Sequence, residues 1–123
     1  ICTLHNPSVR LNRVTGRKRK LGDFPLPDGK LLTVSSVENY DAASGCVDGT
    51  QFYEVRTYEG AIVAEMSVDI YFRLHSFHEF QSLLAATGFV PVHLYGDYSY
   101  SRFESDTSPF MIWVLRNAQV GVI

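Results

Sequence analysis

The sequence predicts an α+β chain in which an antiparallel meander of three to four strands precedes one main helix packed on a terminal two-stranded hairpin. Residues 61–73 alternate apolar and polar side chains with the two-residue period of a strand. Residues 76–87, between a serine and a glycine, carry a stripe on one face at helical spacing, formed by Phe77, Phe80, Leu83, Leu84 and Thr87. Asp-Gly and Glu-Gly pairs between the candidate strands are typical of tight turns and therefore favour antiparallel neighbours.

Length and composition indicate one globular domain or fragment. The chain has 123 residues, of which 46% are hydrophobic, enough to bury a core. A net charge of −2 gives no reason to expect binding to nucleic acid or to a membrane surface. Cys2 and Cys46 are too few for a disulfide framework, so we expect a cytoplasmic location. Because the first residue is Ile1 rather than methionine, we expect a piece of a longer protein.

Residues 1–23 are predicted to hold a strand end and a linker. Residues 1–9 resemble a buried strand that stops at Asn6-Pro7, because proline cannot donate a backbone hydrogen bond to a sheet. A helical or irregular segment over residues 8–14 follows. The basic run 16–20 is interpreted as a solvated, mobile loop, with contact to an anionic ligand as the alternative.

Residues 24–73 are predicted to form the antiparallel meander. Its candidate strands are residues 30–37, about 38–47 with a break at 42–45, 51–58 and 61–73. We place a two-residue hairpin turn at Asp48-Gly49 and another tight turn at Glu59-Gly60.

Residues 74–123 are predicted to hold the helix and the terminal strands. Ser76 is a natural N-cap with Glu79 three residues later, and Gly88 stands where a helix needs a left-handed residue. A strand over 89–95 contains Pro91, which belongs on an edge or at a bulge. A polar loop over 99–108 and an apolar strand over 110–115 complete the chain.

No residue stands out as catalytic. His75 and His78 form an H-x-x-H pair, but zinc needs further ligands at workable spacing, so no metal is predicted. The sequence contains neither a G-x-S-x-G elbow nor a P-loop. Carboxylate pairs such as Glu65 and Asp69 occupy an ordinary strand, for which a solvated role is the simpler interpretation.

One stretch resembles a known enzyme family. It runs from Arg73 through Ser-x-x-Glu-Phe, Leu-Leu and Gly-Phe to Tyr-Gly-Asp at 95–97, and the apolar strand 110–115 closes it. This order is similar to the C-terminal end of class I S-adenosylmethionine-dependent methyltransferases, which have a Rossmann-like fold. The resemblance implies that residues 1–9 end the fifth sheet strand and that residues 24–73 are an insert covering the active site. The substrate, a small-molecule acceptor, would then contact His5, Asn6, Tyr40, Tyr53, Tyr71 and Arg73.

The cofactor half of such an enzyme is missing from the sequence. Binding S-adenosylmethionine would require a glycine-rich loop after a strand and an acidic residue that accepts ribose hydroxyls. No Gly-x-Gly spacing occurs between a candidate strand and a helix. We therefore expect the C-terminal, substrate-covering part of a methyltransferase, inactive alone, with no cofactor bound by this chain and S-adenosylmethionine implied for the parent enzyme.

Two alternatives stay open. The chain could be an independent small-ligand-binding α+β module with an enclosed apolar pocket lined by Tyr53, Met66 and Phe72. It could instead be a dimerisation domain. Self-association is expected in either a truncated sheet or a dimerisation domain, because exposed strand edges and apolar faces favour it. A monomer in light scattering would favour the binding module.

Overall fold

A computed structural model describes residues 1–118, which form two compact units. The first unit contains residues 1–13 and the chain from residue 74 onward, and the second contains residues 14–73. No helix within residues 1–118 is long and apolar enough to cross a membrane.

The first unit contains a sheet of three strands rather than the predicted two-stranded hairpin. Strand β1 (Cys2–His5) pairs with β7 (Phe110–Asn117), which also pairs with β6 (Phe89–Tyr95). Both pairings are antiparallel. The third strand pairs with the second edge of β7, so the backbone N–H and C=O groups of this largely buried, apolar strand are satisfied on both sides.

Two short helical turns follow β1. Helix α1 (Pro7–Arg10) begins with proline at its first position, where the missing N–H is no loss. A 3-10 turn, Leu11–Arg13, continues it. These turns confirm the predicted helical or irregular segment after Asn6-Pro7.

The main helix, α2 (Phe77–Thr87), has the predicted caps. The Ser76 side chain accepts a hydrogen bond from the backbone N–H of Glu79 at 3.1 Å. At the other end Gly88 adopts a left-handed conformation with φ of 79°, and its N–H bonds to the carbonyl oxygen of Leu84. Glycine is favoured here because a Cβ is unfavourable in this conformation.

Replacing Ser76 with alanine is expected to destabilise the first unit by about 1 kcal/mol, because one N–H of the first helical turn loses its acceptor. Ser82→Ala, at an exposed position inside the same helix, is the matched control and should change stability by only a few tenths of a kcal/mol. Urea unfolding followed by circular dichroism measures both. Equal effects of the two variants would show that the cap contributes nothing.

The core of the first unit lies between α2 and the sheet. Phe80 and Leu84 of the helix pack with Met111 and Trp113 of β7, and Trp113 is only 2% exposed. Leu83, which the periodicity placed on the same apolar stripe, is 48% exposed, so this part of the prediction is wrong. The buried residues of α2 are Phe80 and Leu84, so the face that packs on the sheet is narrower than the predicted stripe. Partly buried residues around this core are Cys2, Leu4, Phe77, Leu94, Phe103 and Leu115.

Pro91 lies where proline is tolerated. Strand β6 is an outer strand of its sheet, and its pairing with β7 shifts register between Pro91 and His93. The prediction of an edge or a bulge is therefore confirmed in both respects.

The second unit is an antiparallel sheet of four strands in sequence order. They are β2 (Arg19–Pro25), β3 (Leu31–Asp41), β4 (Cys46–Arg56) and β5 (Ile62–Arg73). The predicted meander is present, with β2 as an unpredicted strand that begins before residue 24. Arg19 and Lys20, assigned to a solvated loop, open β2. Asp23 anchors that strand, since it accepts hydrogen bonds from Lys20 at 2.6 Å and from Thr33 at 2.7 Å.

The turn between β3 and β4 was predicted at the wrong place. Asp48-Gly49 lies inside β4, and the chain reverses at residues 42–45. The Asp41 carboxylate accepts hydrogen bonds from the Ala43 N–H and the Ser44 hydroxyl, and Gly45 has a φ of 73°. Gly49 is required for another reason: a Cβ there would overlap the carbonyl oxygen of Val37 on the paired strand.

Candidate functional site

A cavity of about 500 Å³ lies in the first unit, beside the carboxyl end of β1 and the amino end of α2. We call it the β1–α2 cavity. Its volume is in the range of small-molecule sites in proteins. Its lining residues are Asn6, Pro7, Ser8, Ser76, Phe77, His78, Phe103 and Ser105.

Asn6 holds together the two chain segments that form one wall of this cavity. Its side-chain amide donates hydrogen bonds to the carbonyl oxygens of Ser105 at 2.9 Å and Ser108 at 2.8 Å. Its backbone N–H donates to the carbonyl oxygen of Pro109 at 3.1 Å, and its own carbonyl accepts from Arg10 at 2.8 Å. The residue is 3% exposed. Asn6 thus fixes the loop before β7 against the end of β1.

The same loop is closed on itself by Ser108. The Ser108 hydroxyl accepts a hydrogen bond from the backbone N–H of Glu104 at 2.8 Å. Gly96 lies directly against it, and a Cβ at Gly96 would overlap the Ser108 side chain. Phe110 donates its N–H to the Gly96 carbonyl at 3.1 Å. Glycine in the Tyr-Gly-Asp sequence is therefore needed for close packing of the loop that carries Phe103 and Ser105.

Aromatic rings form the apolar side of the cavity. Phe77 stacks on Phe103 with ring centroids 6.1 Å apart, and on Trp113 with centroids 5.4 Å apart. Phe77 also meets the His78 ring edge to face at 5.3 Å. Because Phe77 is held between two rings, the wall that it presents is fixed by the core beneath it.

The chemistry of the β1–α2 cavity is neutral and partly apolar. Among residues 1–118 the lining contains one histidine, His78, and its remaining polar groups are amide and hydroxyl groups. Such a lining suits a ligand with an apolar body and a few hydrogen-bonding groups, and it offers no strong anchor for a highly charged ligand.

The structure does not gather the six predicted substrate-side residues at one place. Asn6 lines the β1–α2 cavity, and the ring of His5 packs on Phe110 at 5.8 Å. In the second unit Tyr40 and Tyr71 line one cavity of about 220 Å³. Tyr53 lines a different one, of about 490 Å³.

Arg73 lies opposite Cys46 in the pairing of β4 with β5. A hydrogen bond from Tyr71 is the main cause that lowers the pKa of the Cys46 thiol, and the Arg73 charge lowers it further. The same hydrogen bond raises the pKa of the Tyr71 hydroxyl. These three residues are therefore neighbours at the end of the second unit's sheet.

Only two of the three residues expected to line the pocket of a binding module lie in one cavity. Tyr53 and Met66 share the cavity of about 490 Å³ with Lys18, Phe52 and Glu54. Phe72 is not in its lining, because it pairs with Val47 further along the sheet.

Sequence reasoning missed most of the β1–α2 cavity. Ser76, Phe77 and His78 were interpreted only as the start of a capped helix, and Phe103 was placed in a polar loop. A large aromatic residue inside an otherwise polar segment was the available signal. The missed lining residues are Pro7, Ser8, Ser76, Phe77, His78, Phe103 and Ser105.

The described residues lack the features that bind metals and nucleotide cofactors. Within residues 1–118 no three His, Cys, Asp or Glu side chains lie close enough together to hold a metal ion. In this part of the chain the strand-to-helix connections are Asn6, before α1, and residues 74–76, before α2. Neither connection contains a glycine or an acidic residue, so neither fits the phosphate-binding or ribose-binding turns of nucleotide folds.

Two solved structures are similar in fold to this chain. The CcbJ methyltransferase from Streptomyces caelestis superposes with a TM-score of 0.60 at 19% identity over 94% of the chain. An S-adenosylmethionine-dependent methyltransferase from Clostridium acetobutylicum superposes with a TM-score of 0.66 at 13% identity over 93%. The chain has a methyltransferase-like fold. It spans 42% of the length of each of these two proteins. No protein-family model and no curated protein matches the sequence.

Proposed function

We propose that this chain is the C-terminal, substrate-covering part of an S-adenosylmethionine-dependent methyltransferase that acts on a small acceptor. In this proposal the first unit contributes the end of the central sheet and the second unit is the insert over the active site. The chain alone transfers no methyl group, because the cofactor site belongs to the remainder of the enzyme.

The connectivity of the first unit is the observation that carries the proposal. β1 lies before the meander in sequence and α2 lies after it, yet β1 pairs with β7 of the terminal hairpin. The four strands β2–β5 form a separate sheet. This is the arrangement expected of an insert placed between the fifth strand and the last helix of a doubly wound fold. The likeness to two methyltransferases over 42% of their length also favours a partial enzyme.

The position of the β1–α2 cavity supports an acceptor site. In open α/β sheets ligands bind beyond the carboxyl ends of the parallel strands. In the proposed parent enzyme β1 is one of those parallel strands, and the cavity lies at its carboxyl end, where Asn6 and Pro7 leave the sheet. Its neutral lining suits an acceptor with an apolar body. The residues that we expect to touch the acceptor are Phe77, His78, Phe103 and Ser105.

The described residues do not form a site for S-adenosylmethionine, because no strand-to-helix connection among them contains a glycine-rich turn or a carboxylate that could bind the ribose. We therefore expect isothermal titration of the 123-residue chain with S-adenosylmethionine to give no heat of binding. Tight binding would contradict the proposal that the cofactor site lies in the remainder of the enzyme.

The sequence encoded immediately upstream of Ile1 is the second test. A glycine-rich turn and a strand ending in Asp or Glu are expected there, and their absence would overturn the proposal.

In the parent enzyme, Phe103→Ala is expected to raise the acceptor KM about tenfold, since loss of a buried apolar contact with a substrate costs roughly 1–3 kcal/mol. The dissociation constant for S-adenosylmethionine should not change. Tyr58→Ala is the control, because Tyr58 is 96% exposed in the turn before β5. Methyl transfer from labelled cofactor to a panel of small amines and alcohols measures both variants. An unchanged KM in Phe103→Ala would remove the β1–α2 cavity from the acceptor site.

The cavity also supports the alternative of an independent small-ligand-binding module. That function requires the 123-residue chain to bind members of the same panel without cofactor, which thermal-shift measurements would detect. A cytoplasmic location is a prediction from the two free cysteines in either case.

A further inference from the structure

The outer strand of the second unit is long and exposed. β5 is at one end of the four-stranded sheet, and beyond it no strand of residues 1–118 pairs with its outer edge. Met66 is 60% exposed, Val68 is 44% exposed and Tyr71 is 74% exposed. A long strand with a free edge is a template for pairing with another strand.

The two faces of β5 differ sharply. The pairing with β4 is regular from Ala64 to Arg73, so alternate residues share a face. One face is apolar and carries Ala64, Met66, Val68, Ile70 and Phe72. The other face is polar and carries Glu65, Ser67, Asp69, Tyr71 and Arg73. The apolar face is exposed most at Met66 and Val68, near the middle of the strand.

We propose that two copies of this chain associate by antiparallel pairing of their β5 strands, with Val68 opposite the partner's Val68. The two four-stranded sheets then become one continuous sheet. This pairing assigns an interface and a register to the self-association expected from the sequence. It does not depend on the methyltransferase function.

Charge excludes two of the alternative registers. A symmetric antiparallel pair turns about an axis through one residue, and opposed residues lie on the same face. Centring on Ser67 places Glu65 opposite the partner's Asp69, and centring on Asp69 places two aspartates opposite each other. Like charges directly opposite are destabilising. Centring on Val68 avoids both arrangements.

The Val68 register also supplies hydrogen-bond donors to the carboxylates. Glu65 lies opposite Glu54 within the sheet, and Glu54 is already neutralised by Arg56 at 2.6 Å and Lys18 at 3.8 Å. Across the proposed interface, Glu65 would face the hydroxyl of the partner's Tyr71. Asp69 would face the hydroxyl of the partner's Ser67.

The apolar face gains contacts in the same register. Met66 would lie opposite the partner's Ile70 and Ala64 opposite the partner's Phe72, so these apolar side chains each gain an apolar cross-strand neighbour. Centring on Ile70 would avoid opposed acids as well, but it limits the overlap to residues 67–73. Centring on Met66 would draw in residues 62–63, where the pairing with β4 is irregular. The Val68 register is the longest regular overlap without opposed charges.

Disulfide trapping tests the register directly. In a Cys2→Ala, Cys46→Ala background, Val68→Cys should form a covalent dimer under mild oxidation, because opposed residues of an antiparallel pair approach disulfide geometry. Met66→Cys and Ile70→Cys should each stay monomeric under denaturing, non-reducing electrophoresis, while a mixture of the two should form a mixed dimer. Self-linking of Met66→Cys or Ile70→Cys instead of Val68→Cys would overturn the register.

Light scattering on the unmodified 123-residue chain tests the association itself. A dimer is expected, and Val68→Lys should convert it to a monomer with an unchanged circular dichroism spectrum, because two ammonium groups would lie at the axis. Leu21→Lys is the matched control, since Leu21 is 46% exposed and lies on β2, the opposite outer strand of the same sheet. A monomeric unmodified chain would overturn the proposal and leave the edge to a different partner. A dimer that persists in Val68→Lys would place the interface elsewhere.

Discussion

Trp113→Ala is expected to lower the free energy of unfolding of the first unit by about 3–5 kcal/mol, the range found for removing a large aromatic side chain from a core. Trp113 is 2% exposed and packs against Phe77 at 5.4 Å and Phe80 at 5.5 Å between ring centroids. The cavity left behind would lie under α2, where the surrounding residues belong to a three-stranded sheet that cannot collapse freely. This loss is large compared with the usual stability of a small domain.

Trp113→Phe distinguishes the contribution of aromatic packing from that of hydrogen bonding by the indole nitrogen. The indole nitrogen of Trp113 is buried and has no hydrogen-bond partner among residues 1–118. Its removal therefore sacrifices no hydrogen bond, and Trp113→Phe should cost much less than Trp113→Ala. Because Trp113 is the only tryptophan, urea unfolding must be followed by circular dichroism rather than by fluorescence. Similar losses in the two variants would mean that the indole has a polar contact essential to the fold.

Asn6→Ala is expected to lower the free energy of unfolding by about 2–3 kcal/mol. The variant leaves the carbonyl oxygens of Ser105 and Ser108 without their donor, and unsatisfied buried groups cost about 1–3 kcal/mol each. Asn6→Asp has almost the same shape but sets a carboxylate oxygen against two carbonyl oxygens. It should be at least as damaging.

Hydrogen exchange locates the effect of Asn6→Ala. The backbone N–H of Ser108, which bonds to the carbonyl of Glu104 at 3.0 Å, should exchange faster in the variant. Asn12→Ala is the control, since Asn12 is exposed and should change neither stability nor exchange. If Asn6→Ala keeps the stability and the Ser108 protection of the unmodified chain, the side-chain amide does not hold the loop.

Local sequence signals predicted α2 and its ends well. Ser76 and Gly88 act within one helical turn through backbone groups close in sequence, so their roles are visible without the fold. Pro91 was similarly informative because it lacks an N–H wherever it is placed. The same kind of reasoning misplaced the turn between β3 and β4. Asp48-Gly49 is a good turn pair, but Asp41 and Ser44 form a turn of their own, and β3 and β4 then run in register through Gly49.

The candidate site depended on contacts that are distant in sequence. Asn6 bonds to Ser105 and Ser108 across about a hundred residues, with separations of 99 and 102. No pattern of neighbouring residues predicts hydrogen bonds between segments so far apart in sequence. Phe103 likewise acquires its place in the cavity wall only because Phe77 lies beneath it on α2. Tyr40 and Tyr53 fell into different cavities because they lie at different positions along the sheet, where Tyr40 pairs with Val47 and Tyr53 with Val34.

The sequence by itself determined the α+β class, the antiparallel meander, the caps of α2 and the edge position of Pro91, because each depends on backbone chemistry within a few residues. Only the tertiary structure decided that β1 joins the sheet of β6 and β7, and that Asn6, Phe77 and Phe103 share a cavity. These arrangements arise from pairing the backbone of β7 on both edges and from satisfying the buried carbonyls of a remote loop. Such requirements appear only when distant segments meet.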